Sequence, residues 1–139
     1  MIEKKVEDAI NKQIAHEAYA SNSYLSMASW CEKEGLRGSA SFLYGQSDEE
    51  RGHMMKMIKF VNQAGGHAKV SSLKEPLFNY DSLSQIFELA FEHEKNVSKQ
   101  INQLVELSLH NKDYASFHFL QWFVEEQVEE ENLFRTVLD

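Results

Sequence analysis

A carboxylate interrupts the inward-facing apolar stripe of every long helical segment in this chain, and no other feature constrains the fold as tightly. At the i, i+3, i+4, i+7 spacing of a helix face, the first segment reads Val6, Ile10, Ile14, Glu17, Tyr24, Ala28, Cys31. The second reads Leu43, Glu50, His53, Met57, Val61, Ala64, and the third Leu83, Phe87, Ala90, Glu94, Val97, Ile101, Leu104. The fourth reads Phe117, Leu120, Val124, Gln127, Glu130, Phe134, Val137. One inward Glu is commonly a boundary residue at the edge of a core. One on each of four helices needs a common cause.

The stops between segments set the topology. Gly35 ends a helix from about Lys5 to Glu34, and Gly65–Gly66 ends one from about Arg37 to Ala64. The third begins where Ser82 and Gln85 have capping-box spacing and runs to about His110. The fourth begins at the N-cap Asp113 and is still periodic at Asp139. Short joints make helices one and two, and three and four, antiparallel hairpins. Residues 66 to 81 form a long connection without helical period. Sixteen extended residues reach ~50 Å, whereas a helix of about 28 residues is ~42 Å long. The connection can therefore run the whole bundle and start the third helix beside the start of the second. The expectation is one all-α domain over residues 1–139, a four-helix bundle with a long crossover between parallel helices two and three.

With that topology the carboxylates share a level. Glu50 and Glu94 lie similarly far into parallel helices. Gln127 and Glu130, counted from the opposite end, reach nearly the same height, and Glu17 falls about a turn away. Ionised carboxylates are not buried together without a counter-charge, because desolvation and mutual repulsion both oppose it. A multivalent cation resolves the conflict, and His53, three residues after Glu50 on the same face, adds a nitrogen ligand. Carboxylates with one imidazole suit iron or manganese better than a thiolate-preferring metal.

Composition closes several other routes. Fourteen Lys and Arg against 22 Asp and Glu leave a net charge of -8, which argues against nucleic acid as a partner. Cys31 is the only cysteine, so no cysteine cluster or intrachain disulfide forms. No apolar run approaches the ~20 residues of a membrane span, and the mixed-charge start MIEKKVEDAINKQ has no signal core. A cytoplasmic address is expected.

The motifs I-A-H-E-A-Y-A (Ile14 to Ala20), E-R-G-H (Glu50 to His53) and E-E-Q-V-E-E-E (Glu125 to Glu131) resemble bacterial non-haem ferritins, and the resemblance covers essentially the whole chain. It implies a ferroxidase that oxidises ferrous iron with dioxygen or peroxide and stores it as ferric mineral. Matched residue by residue, the first iron would take Glu17, Glu50 and His53. The second would take Glu50 as a bridge, Glu94 and Glu130, with Gln127 a hydrogen-bonding neighbour. Tyr24 matches the tyrosine given a share in electron transfer. Glu49, Glu126 and Glu129 match the carboxylates that make a third iron position with Glu130, although Glu runs on helices are ordinarily solvated faces.

Two other readings compete. Bacterioferritin carries Glu-x-x-His on two helices, whereas the second copy here is Gln127-Val128-Glu129-Glu130; Arg51 stands where its haem-ligating methionine would be, so no haem is expected. A metal-free helical scaffold, its acids turned towards a partner, belongs to a different class. Ferritin subunits normally continue into a short fifth helix, which this sequence lacks, so the family's 24-subunit shell would be open at its four-fold region. Trp30, Leu36, Phe42, Phe78, Tyr80, Phe119 and Trp122 lie off the stripes and suggest subunit contacts, with a homodimer the minimum assembly.

Overall fold

The computed structural model describes residues 1–139 as four helices: α1 Lys4–Lys33, α2 Arg37–Gln63, α3 Leu83–His110 and α4 Tyr114–Leu138. The ends follow local chemistry. Ser82 accepts from the Gln85 N–H, and Gln85 Oε1 accepts from the Asp81 N–H at 2.7 Å. Asp113 accepts from the Ser116 N–H and, through its other oxygen, from the Glu3 N–H, pinning the chain's start against α4. Three helices close on one motif, a left-handed residue followed by an N–H that reaches back five positions. Leu36 N–H donates to Cys31 O after Gly35 (φ +79°), Gly66 to Val61 O after Gly65 (φ +91°), and Asp113 to Ser108 O after Lys112 (φ 56°). The third instance places a lysine where the other two use glycine.

Two apolar clusters fill the bundle. Val6, Ile10 and Ile14 of α1, Met57 and Val61 of α2, Val97, Ile101 and Leu104 of α3, and Leu120 and Phe123 of α4 form one. Tyr24, Met27, Ala28, Cys31, Ala40, Leu43, Ile86, Phe87, Ala90 and Phe134 form the other. Along the chain, α1 and α4 run from the first cluster to the second, and α2 and α3 run from the second to the first. Helices α2 and α3 are therefore parallel, and residues 64–82, which carry no helix, make the long crossover. Glu17, Glu50, His53, Glu94, Gln127 and Glu130 each lie between the two clusters on their own helix.

The expected fourth stripe needs correction. Phe123 is in the core, while Val124 and Phe117 are half-buried and Val137 is exposed. Helix α4 is apolar at 119, 120, 122, 123 and 124, so spacing admits more than one inward face, and the larger Phe123 fills the volume. The expected subunit-contact aromatics also divide. Trp30 packs edge-on to Tyr80, Phe119 stacks on Phe60 at 4.1 Å, and Phe42 meets Phe87 and Phe134. These four pack against other aromatics of the chain and are half-buried in it. Leu36, Phe78 and Trp122 stay exposed.

Candidate metal centre

Each helix places its carboxylate in the layer between the clusters. Glu17 and Glu94 are fully buried, and Glu50, His53 and Glu130 are no more than 4% exposed. Ligand atoms of Glu17, Glu50 and His53 lie within 4.8 Å of one another, as do those of Glu50, Glu94 and Glu130. Glu50 belongs to both groups. Glu17 thus joins the layer without the one-turn offset that counting from helix ends gives it.

The polar atoms of this layer have too few partners. Both oxygens of Glu17, both of Glu50, one of Glu130 and Nδ1 of His53 are buried without a hydrogen bond from the protein. Orphaned buried polar atoms are rare in native folds, and six sit here in adjoining groups. Glu94 differs. Its Oε1 accepts from the Tyr24 hydroxyl at 2.5 Å and its Oε2 from Gln127 Nε2 at 3.2 Å.

Electrostatics follow from that crowding. Burial first, then the Glu50 charge, pushes the Glu17 carboxyl well above its ordinary range. Burial, with the charges of Glu94 and Glu130, raises Glu50 to about 8. Glu130 rises to about 9 through burial and the adjoining Glu49 carboxyl. The Tyr24 phenol is also driven up by burial and by Glu94. A cation in the layer reverses the carboxyl shifts, because its charge favours the ionised form.

His53 connects the layer to a second acidic group. Its Nδ1 is 3.5 Å from Glu50 Oε2, and its Nε2 is 3.7 Å from Glu126 Oε1. Trp122 and Phe123 meet the imidazole edge-on and fix its plane. Nδ1 therefore faces the inner pair of groups, while Nε2 faces Glu126 as an outer partner. Glu49, Glu126 and Glu130 form a third group with ligand atoms within 4.8 Å. Glu129 is outside it, exposed along the same groove of about 460 Å³. Of the residues matched to a third iron, the structure gathers Glu49 and Glu126 with Glu130, and Glu129 lines the same groove outside that group.

Sequence reasoning missed the supports of Gln127. Ser98 Oγ donates to Glu131 Oε2 at 2.5 Å and lies 3.2 Å from Gln127 Nε2. The available signal was spacing: Ser98 follows Glu94 by four residues, and Glu131 follows Gln127 by four, one helical turn in each case.

The geometry has close counterparts. Residues 7–139 match the sequence profile of the ferritin-like domain of the Ferritin family. The chain is 45% identical to the bacterial non-heme ferritin of Campylobacter jejuni over 139 residues, 100% of this chain and 83% of that protein. It is 37% identical over 136 residues to that of Staphylococcus aureus, 98% of this chain and 82% of the relative. Among solved structures, the open-pore ferritin of the hyperthermophilic archaeon Archaeoglobus fulgidus superposes with a TM-score of 0.98 at 43% identity, covering 99% of this chain and 85% of that one. Chlorobium tepidum ferritin gives 0.96 at 37% identity, covering 99% and 84%. With a four-helix crossover bundle, a mid-core carboxylate layer and relatives at this identity over nearly its full length, the chain belongs to the ferritin family, alongside the bacterial non-haem ferritins.

Proposed function

We propose that this chain, an iron-storage ferritin subunit, takes ferrous iron as substrate at the carboxylate layer, oxidises it in pairs, and passes ferric iron on to a mineral. The observation that carries this reading is the orphaned set: five carboxylate oxygens of Glu17, Glu50 and Glu130, and His53 Nδ1, buried without a hydrogen bond from the protein. A metal-free scaffold leaves those atoms uncompensated, at a cost of about 1–3 kcal/mol each.

In this reading Glu17, Glu50 and His53 hold one ferrous ion, and Glu50, Glu94 and Glu130 hold the other, with Glu50 bridging. A pair of ferrous ions supplies the electron pair that takes dioxygen and two protons to hydrogen peroxide, or peroxide and two protons to water. Glu50 and Glu130 give up protons as the ions bind, because their carboxyls are raised in the metal-free fold. Tyr24 and Gln127 orient Glu94 by donating to its two oxygens, and Tyr24 is the nearest redox-active side chain to that ligand. Glu49, Glu126 and Glu130 hold a third ion on its way out, with Glu129 drawing cations along the groove. The chain acts in the cytoplasm as a homo-oligomer, at least a dimer. Exposed Leu25, Val70, Leu77 and Phe78 on α1 and the crossover supply an apolar surface suited to it.

Anaerobic loading with ferrous iron followed by stopped-flow mixing with dioxygen tests the reading. Rapid oxidation should saturate at about two ions per chain, the number of groups that share Glu50. No iron-dependent absorbance and no oxygen uptake would return the chain to the scaffold class.

A further inference from the structure

We infer that Ser98 and Glu131 are positioning residues that lock the Gln127 amide with its N–H towards Glu94, and so orient a ligand of the second metal. This rests on the di-metal reading above.

Hydrogen bookkeeping carries the argument. Ser98 has a single hydroxyl hydrogen. Two acceptors compete for it: Glu131 Oε2 at 2.5 Å and the backbone carbonyl of Glu94 at 3.1 Å. The shorter contact to a carboxylate is the stronger, so the hydrogen goes to Glu131. The Ser98 oxygen can then only accept, and the donor beside it is Gln127 Nε2 at 3.2 Å. The same nitrogen lies 3.2 Å from Glu94 Oε2. It also lies 3.2 Å from the Glu94 backbone carbonyl, so its two hydrogens are divided between Ser98 and the two Glu94 oxygens. A flipped amide would set its oxygen against the Glu94 carboxylate and against a hydroxyl oxygen with no hydrogen left to give.

Glu131 thus fixes Ser98, Ser98 fixes the amide, and the amide fixes Glu94. The chain crosses from α4 to α3 and back along the wall of a cavity of about 210 Å³ that Ser98, Asn102, Gln127 and Glu131 line. It approaches the layer from the α3–α4 side, away from the groove at Glu49 and Glu126. Glu131 is in none of the metal groups, and Ser98 reaches Glu94 only at its backbone carbonyl, so both act on the Glu94 carboxylate through Gln127.

Calorimetric titration of the intact protein with Co(II), which binds without being oxidised by air on this timescale, tests the relay. Ser98→Ala and Glu131→Leu should each weaken the second Co(II) ion about tenfold or more, as loss of an outer partner does, and leave the first within a factor of about two. Ser98→Thr keeps the hydroxyl and should restore wild-type affinity. Melting of each variant by circular dichroism reports whether the bundle stays folded. Unchanged second-ion affinity in Ser98→Ala and Glu131→Leu overturns the relay. Equal weakening in Ser98→Thr and Ser98→Ala also overturns it, since shape rather than the hydroxyl would then matter. A wild-type chain that binds no Co(II) overturns the di-metal reading itself, whereas two ions in every variant with equal affinities overturns the relay alone.

Discussion

Tyr24 and Glu94 stand 70 positions apart in the chain, and the Tyr24 hydroxyl donates to Glu94 Oε1 across 2.5 Å. The donor sits in one apolar cluster and the acceptor in the layer beside it, so the contact ties the site to the packed core. Tyr24→Phe keeps the ring stacked on Phe134 and removes only the donor. The expected outcome is oxidation slowed about tenfold, with a weaker second metal ion and unchanged helical content. Stopped-flow traces that overlay the wild type would contradict it.

Glu50→Ala and Glu130→Ala should each nearly abolish rapid iron oxidation while far-ultraviolet circular dichroism stays helical. Glu50 contributes to both inner groups and Glu130 to the second. Both clusters of the core remain after either change. A wild-type oxidation rate in either variant would displace the site from this layer.

The metal-free fold should lose stability as pH rises. Glu50 and Glu130 titrate at about 8 and about 9 in the folded chain against an ordinary 4.5. The folded state therefore holds more protons than the unfolded state across that window. These groups cost nothing below about pH 4.5. Their cost grows through the window and levels off above about pH 9. Metal-bound protein should lack the slope, since its carboxyls are already ionised. Melting temperatures with and without Co(II) at pH 6 and pH 9 give the comparison. Titration in buffers of different ionisation heat at pH 7 should also show at least two protons leaving per chain, from Glu50 and Glu130, with Glu17 adding to them.

The outer carboxylates should separate by position. Glu49→Gln leaves the first two-ion oxidation in place and lowers uptake beyond it, because Glu49 supplies a ligand atom to the third group and to neither of the first two. Glu129→Gln has a smaller effect than Glu49→Gln, since Glu129 is outside the third ligand group. Glu126→Ala acts on both phases through its contact with His53 Nε2. Iron-binding stoichiometry and single-turnover rates for the three variants, measured side by side, decide this ranking.

Lys112→Gly should stabilise the chain by about 1 kcal/mol, the order of the cost of a non-glycine residue in a left-handed conformation. Lys112 holds that conformation at φ 56° in the α3–α4 turn, where the two comparable helix ends use Gly35 and Gly65. Equilibrium urea unfolding of the metal-free protein measures the difference; a lower midpoint would mean that the lysine side chain makes a compensating contact.

The helices, their caps at Ser82 and Asp113 and the crossover were legible in the sequence, because spacing and reach act locally and leave few alternatives. The layer was legible for a related reason: four inward acids at one height have few causes besides a cation. Phe123 was not, since an almost continuous apolar run on α4 offers two inward faces and only packing volume chooses between them. The pairing of Trp30 with Tyr80 needed the path of the crossover, which no periodicity records. The link from Glu131 through Ser98 to Gln127 depends on which acceptor takes one hydrogen, a matter of tenths of an ångström. Glu129 was named for the third iron by resemblance alone, and the structure places it along the groove beside the group of Glu49, Glu126 and Glu130.

The division of the core into two apolar clusters, each with side chains from all four helices, has a mechanical consequence for the acids between them. Helices clamped on both sides cannot splay apart when Glu17, Glu50 and Glu130 give up their protons beside Glu94. The packing around the layer thus sets the spacing of its ligand atoms. A divalent ion meets ligands already gathered, so little of its binding energy goes into ordering them.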